Sequence, residues 1–318
     1  MSDTPQFDDL LRETPRNWGR WGADDEVGAL NLLTAESVFR GLGSIRTGEV
    51  FTLGAPMCGD EGEPITPERT RALRINTRDR ASYTSGRYEP LPGGLQWADD
   101  VVTMYLQGTT HIDAVGHAWY GDQIWNGYSA DETIDRLTRA SILPIAERGI
   151  VGRAVLVDLA RYRGKAHLAR GEAFTLDDVL AATESQGATI EKGDILLLRT
   201  GWVGAFYHDR EAFLEQPYYE PGLLYESRIP EWFHAMEIPV FGTDTLANEL
   251  QPQPDSGLMS LLHASLMRNL GVIFNEILLL DDLAAACARD GEWSFLYVAA
   301  PLKVVGGSGA PVNPIAIR

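Results

Sequence analysis

Gln107-Gly108-Thr109-Thr110-His111-Ile112-Asp113-Ala114-Val115-Gly116-His117 gathers two of the chain's six histidines, a carboxylate and an amide within eleven residues. In an extended segment side chains alternate, so Gln107, Thr109, His111, Asp113, Val115 and His117 would share one side. A neutral imidazole and a carboxylate two residues apart suit a divalent ion such as Zn²⁺ or Mn²⁺. Gln107, four positions upstream of His111, can close the same face. His117 follows six positions later and can either ligate or act as acid and base. Spacing alone leaves a second reading open, in which His111 and Asp113 are a hydrogen-bonded pair bridging core and surface.

A second constellation lies downstream. The pattern predicts a helix over Gly257–Leu270, on which His263 shares a face with Met259, Met267 and Leu270. It predicts a strand over Val272–Leu279, with Glu276 inside the apolar run Ile273-Phe274-Asn275-Glu276-Ile277-Leu278. An unpaired carboxylate there would cost several kcal/mol to bury. Glu276 therefore requires a cation, an arginine or its own proton. Trp119, Trp125 and Tyr128 follow His117 closely and offer flat area for a planar ligand or for core packing. Asp244, Asn248 and Glu249 follow a strand end, where loops often line pockets. His167, His208 and His234 have no carboxylate at ligand spacing and read as structural or surface residues.

Working outward, the patterns alternate between helix and strand. A helix is expected over Glu36–Leu42 with Thr34 as its cap, and another from Thr175, whose capping box with Asp178 precedes a stop at Gly187. Ala154–Leu159, Asp194–Arg199, Pro239–Thr243 and Ser294–Val304 read as strands, and Pro230–Glu237 and Asp282–Arg289 as helices. The stretch from Cys58 to Trp97 shows no period and reads as a functional lid or interface arm bordering the pocket, with a mobile surface excursion as the alternative. The sum is a mixed α/β chain, expected to form one domain over residues 1–318 with an N-terminal arm over 1–33.

Composition narrows the class. A net charge of −18 disfavours nucleic acid and anionic membranes as partners. No apolar run approaches the roughly 18 residues of a membrane span, and the Met1-Ser2-Asp3-Thr4-Pro5 start lacks a secretion signal, so a cytoplasmic location is expected. Cys58 and Cys287 are expected to be free thiols. No Gly-x-Ser-x-Gly elbow is present, and Gly306-Gly307-Ser308-Gly309 lacks the lysine and context of a phosphate loop.

The opening stretch resembles the signature His-x-Gly-Thr-His-x-Asp-x-Pro-x-His of the cyclase family of metal-dependent hydrolases, which includes bacterial kynurenine formamidase and isatin hydrolase. Thr110, His111, Asp113 and His117 match, whereas Gln107 stands at the first His, Thr109 at the Gly and Val115 at the Pro. A longer-chain branch of that family is similar also at Arg20–Asn31, Gly193–Trp202, Gly242-Thr243-Asp244 and from Ala300-Pro301-Leu302 to Pro314. Gln at the first ligand position resembles the same branch.

The resemblance implies a swivelling β/β/α fold, in which a β-barrel-like mixed sheet is flanked by helices. It implies a divalent metal, Mn or Zn, held by Gln107, His111, Asp113, His263 and Glu276, with His117 as general acid and base. The reaction would be hydrolysis of a small amide, an N-formyl arylamine or a cyclic amide, with Trp119, Trp125 and Tyr128 against the substrate. A homodimer or homotetramer is implied, with Trp18–Asn31 reaching a neighbouring subunit. Two alternatives stay open at this level. One is a cyclase, dehydratase or lactone hydrolase with little or no metal dependence that uses His117 and Glu276. The other is a non-catalytic small-molecule binding protein.

Overall fold

The run Ile195-Leu196-Leu197-Leu198 is buried on both sides, as expected of a central strand in a parallel sheet. Ile195 and Leu197 enter one apolar layer with Ala154, Leu156, Val240 and Ile273, closed by Leu30, Leu33, Ile142, Ile145 and Leu283. Leu196 and Leu198 enter the opposite layer with Val155, Val157, Phe241 and Phe274, closed by Leu176, Val179, Phe233, Leu262 and Leu266. Each such side chain contributes roughly 1.5–3 kcal/mol on full burial, so the two layers dominate the fold's stability.

The computed structural model describes residues 6–60, 62–64, 68–214 and 219–318. Its strands are β1 Val50–Thr52, β2 Leu73–Arg78, β3 Asp99–Thr103, β4 His111–Asp113, β5 Ile150–Asp158, β6 Ala173–Phe174, β7 Ile195–Arg199, β8 Gly222–Leu223, β9 Val240–Thr243, β10 Ile273–Glu276, β11 Ser294–Ala299, β12 Gly309–Pro311 and β13 Ile315–Ile317. Nine of them form one sheet in the order β1-β13-β11-β5-β7-β9-β10-β4-β12. The centre, β5-β7-β9-β10, is parallel. Antiparallel strands extend it on both sides. The mixed α/β architecture agrees with the sequence reading. No described helix is long and apolar enough to cross a membrane, and Cys58 and Cys287 are both unbonded.

Local signals place several elements close to expectation. Thr34 caps the helix Ala35–Gly43, where Ser37 Oγ accepts the Thr34 N–H. Thr175 Oγ1 accepts the Asp178 N–H at 3.2 Å and the helix Leu176–Ser185 follows. Three expectations require correction. The segment 107–117 is extended only across β4, because turns flank it. The helix carrying His263 begins at Leu261, since Gly257 and Ser260 adopt positive φ, and over His263–Asn269 it has π-helical pairing; Met259 lies outside it, half exposed. The aperiodic stretch after Cys58 contains an antiparallel hairpin, β2–β3, and a short helix Arg80–Thr84. Its alternation is hidden because both faces of the hairpin are exposed.

Trp18–Asn31 packs against its own chain. Asn17 Nδ2 and Trp18 Nε1 donate to the carbonyls of Leu270 and Arg268, and Ala29 N–H donates to Gly271 O at 2.8 Å. Gly28 and Gly271 meet backbone to backbone there. Both have positive φ, and a Cβ on Gly28 would lie 2.5 Å from Gly271 O.

Candidate metal centre and active site

Strand register assembles the site. Glu276 on β10 is the direct antiparallel partner of His111 on β4, so their side chains share a face. Asp113, two residues along β4, joins them, while Ile112 turns to the opposite core layer. Phe274, two residues before Glu276, belongs to the layer that contains the His263 helix. His263 thereby packs edge-on against Phe274, with ring centroids 4.7 Å apart. The backbone frame is tied as well: Asn275 Nδ2 donates to the His111 carbonyl at 2.7 Å, and Tyr297 OH donates to Asn275 Oδ1.

His111 Nδ1 lies 2.7 Å from the Thr109 carbonyl oxygen, which assigns the proton to Nδ1. Nε2 then faces Asp113 Oδ1 at 3.5 Å and Glu276 Oε2 at 3.3 Å. The other Glu276 oxygen, Oε1, stands 3.4 Å from His263 Nε2. His263 has a second carboxylate behind it. Glu249 Oε1 receives the His263 ring Nδ1–H at 2.6 Å and its backbone N–H at 3.0 Å, while Oε2 receives the Leu262 N–H at 2.8 Å. Glu249 thus fixes the ring's tautomer and aims Nε2 at Glu276.

The electrostatics follow from three buried carboxylates beside two buried imidazoles. Burial opposes charge on His263, but the hydrogen bond to Glu249 and the neighbouring Glu276 carboxylate push it up to about 10. Burial would raise Glu276, yet His111 and His263 hold it down at about 2. His111 is likewise raised by Asp113 and Glu276 against its desolvation. His117 moves the other way: burial lowers it, with Asp113 only partly opposing.

His111, Asp113 and Glu276 offer ligand atoms within 4.8 Å of one another, all buried. His111 Nε2, both Asp113 oxygens and Glu276 Oε1 lack any hydrogen bond of acceptable geometry. Orphaned carboxylate oxygens at such depth are costly, and a mixed N/O donor set of this kind fits a divalent ion. Gly309, opposite Asp113 on β12, keeps the space open, because a Cβ there would lie 3.2 Å from Asp113 Oδ1 and 2.7 Å from Gln107 Nε2.

The model of the Cyclase family, described as "Putative cyclase", matches residues 47–249. A solved structure described as a novel cyclase superposes with a TM-score of 0.84 at 32% identity, covering 96% of this chain and 100% of that chain. The chain belongs to the cyclase family. Isatin hydrolase A from Labrenzia aggregata and from Ralstonia solanacearum share the fold at 22% and 21% identity, each with a TM-score of 0.57. Those alignments cover 86% and 89% of this chain and 94% and 97% of theirs. No curated protein sequence matches it.

Within this cyclase-family frame, the residues singled out in the sequence divide into three groups. His111, Asp113, Glu276 and His263 converge. His117 joins them by a turn rather than by strand alternation: its N–H donates to Ala114 O, and its Nε2 comes within 3.9 Å of Asp113 Oδ1. Its ring is 6.4 Å from that of His263. Gln107 is buried at the margin with its amide nitrogen donating to Ser308 Oγ at 3.0 Å. A cavity of about 420 Å³ opens beside His117 and is lined also by Trp119, Arg136 and Ser308.

Trp125 and Tyr128 do not reach this cavity. Trp125 is fully buried and donates to Asp25, and Tyr128 OH donates to Ala23 and Asp25 carbonyls, so both pin the N-terminal arm. Asp244 accepts the N–H groups of Thr200 and Gly201 and is structural. The segment after Cys58 touches the site's margin through Arg69, whose guanidinium donates to Gln107 O at 2.7 Å. Glu249 and Gly309 border the candidate centre, and pattern reading underweighted them. Glu249 carried one signal, a carboxylate between Leu246 and Leu250, both buried.

Proposed function

We propose that this cyclase-family chain is a metal-dependent hydrolase of a small amide, either an N-formyl arylamine or a cyclic amide. One observation carries the reading: the buried, unsatisfied ligand atoms of His111, Asp113 and Glu276 stand beside a neutral imidazole that opens to a cavity. His111, Asp113 and Glu276 would hold the ion, with His263 Nε2 directed to the same carboxylate by Glu249. When bound, a divalent ion supplies Lewis-acid polarisation of a carbonyl and lowers the pKa of water.

The protein's own groups account for the proton. Burial holds His117 below its ordinary pKa, so its imidazole is neutral at pH 7 and can accept a proton from attacking water. The same nitrogen can then return that proton to the departing amide nitrogen. Trp119 presents a half-exposed ring on the cavity wall, where it can lie against an aryl substituent. The isatin hydrolases that share the fold support a cyclic amide as one substrate class to screen.

The test pairs elemental analysis with turnover of formanilides and cyclic amides, in wild type, Glu276→Ala and His117→Ala. The expected result is bound Mn or Zn lost in Glu276→Ala, with His117→Ala keeping the ion but losing turnover. Turnover that survives chelation yet vanishes in His117→Ala would replace this reading with metal-independent acid–base chemistry. Ligand-induced stabilisation without turnover would make the chain a binding protein.

A further inference from the structure

One wall of the cavity beside His117 offers hydrogen-bond donors. Residues 306–308 form part of it, and all three of their carbonyls are taken by the body of the fold. Leu137 N–H donates to Gly306 O at 3.0 Å, Ile142 N–H to Gly307 O at 2.9 Å and Ala114 N–H to Ser308 O at 3.0 Å. Among the described residues no acceptor takes the N–H of Gly306 or of Ser308. Ser308 Oγ accepts the Gln107 amide at 3.0 Å, so its own hydrogen remains to be given. With no side chain at Gly306 or Gly307, a ligand can approach this backbone closely. Backbone N–H groups left in this state bind anionic oxygens.

Arg136 lies over the same stretch. A Cβ on Gly306 would stand 3.0 Å from both Cβ and Cδ of Arg136, so the missing side chain is what lets the arginine stem pack there. The stem is held, but the head is not. Among the described residues the Arg136 guanidinium has no ion pair and no hydrogen-bonded acceptor. Carboxylates are plentiful in a chain of net charge −18, and Arg139, three residues on, pairs with both Asp24 and Glu26. Asp135 also borders the cavity, yet it is not ion-paired with Arg136, because the chain turns there with a φ of 63°. A guanidinium is a planar fork that matches a carboxylate with two parallel bonds. We propose that Arg136 is a specificity-determining residue that binds a carboxylate carried on the substrate's ring, with Ser308 Oγ and the N–H groups of residues 306 and 308 completing the contact. Trp119 meets the ring and His117 the amide, so the substrate class is a carboxylated aryl amide, an assignment that rests on the proposed hydrolase reading. A neutral aryl amide would leave these donors to water alone.

Formanilide and its ring carboxylates, compared in wild type, Arg136→Met and Arg136→Lys, test the assignment, with calorimetric titration of benzoate as a readout separate from turnover. At least one carboxylated isomer is expected to be preferred over formanilide by wild type, by about tenfold or more in kcat/KM. That preference should fall about 10–100-fold in Arg136→Met, chiefly through KM, because the contact is the same in the ground and transition states. Arg136→Lys should keep part of it, having the charge without the fork. Benzoate binding should weaken in Arg136→Met by about tenfold or more. Methionine retains a stem to pack on Gly306, and far-UV circular dichroism confirms the fold. Formanilides hydrolysed without a carboxylate preference, or with one that Arg136→Met leaves intact, would overturn the proposal while the hydrolase reading stands. If neither formanilides nor cyclic amides are hydrolysed, the reaction is wrong and calorimetry decides the site alone. Benzoate held less tightly by Arg136→Met than by wild type would then uphold it, and benzoate not bound by wild type, or bound equally by both, would overturn it.

Discussion

Replacing Glu249 by Gln preserves shape and removes one charge, and the structure sets the size of the effect. The carboxylate accepts three N–H groups, from Leu262, from the His263 backbone and from the His263 ring. Hydrogen bonds to a charged group contribute about 1.5–3 kcal/mol each. An amide keeps a single oxygen, so its NH₂ must face either the Leu262 N–H or the two His263 donors. In the less damaging orientation one bond becomes a donor–donor conflict and two lose their charge assistance. The metal-free protein should therefore lose about 2–4 kcal/mol of stability, read from urea denaturation. His263 Nε2 should also lose its fixed aim at Glu276, and ion affinity should fall about 10–100-fold, the usual cost of removing such a partner. Competition against a chelator for Mn²⁺ and Zn²⁺ measures that fall, with His111→Ala as the control that abolishes binding. Wild-type affinity and an unchanged denaturation midpoint in Glu249→Gln would refute the reasoning. Reduced stability with wild-type affinity would make Glu249 a folding residue only and remove His263 from the centre.

Other outcomes follow from single contacts. Gly309→Ala places a methyl 2.7 Å from Gln107 Nε2 and 3.2 Å from Asp113 Oδ1; ion affinity should drop about tenfold, on the order found when ligands are displaced, while circular dichroism is unchanged. Thr110→Val strips the acceptor from the buried Ala55 N–H and a donor from Ile277 O; thermal unfolding should report a loss of about 2–3 kcal/mol, and a neutral result would mean the loop relaxes. Glu172 is opposed by its burial but held down to about 2 by Lys165, the Ala169 N–H and Arg163. A depressed carboxylate stabilises the fold above its unfolded pKa and loses that contribution as pH falls from about 4.5 to about 2. Glu172→Gln should thus be less stable at neutral pH by about 1–2 kcal/mol, the pair bordering solvent, and should converge with wild type near pH 2; equal stability at pH 7 would show that the shift has no thermodynamic weight.

The elements legible in the sequence are those with local causes. Thr175 and Asp178 announce a helix because the cap closes within four residues, and Ile195–Leu198 announces a buried strand because burial on both faces leaves a continuous apolar run. Glu276 was legible for an energetic reason, being a carboxylate in an apolar strand that cannot remain unpartnered. The π-helical pairing around His263 was not, since it depends on how Gly257 and Ser260 release the chain before Leu261. The aromatic trio after His117 divided for a similar reason. Trp119 reaches the cavity, but Trp125 and Tyr128 are claimed by the carbonyls of an N-terminal segment about a hundred residues away.

The motif itself shows why spacing succeeds and fails within eleven residues. His111 and Asp113 share a face because the strand persists between them, and the cross-strand position of Glu276 then follows from register. Beyond Asp113 the chain turns, and His117 returns to the same carboxylate by the Ala114 O hydrogen bond. Alternation happens to predict the same neighbour by a different path. Its consequence for chemistry is separable: a residue held on the strand would sit as rigidly as His111, whereas one on a turn beside the cavity can move against a substrate. Thr110, in the middle of the same motif, faces away and clamps Ala55 to Ile277, so it braces the strand that bears the ligands. On the proposed reading the signature combines two ion-facing residues, one brace and one proton carrier, and only the first pair is set by period-two geometry.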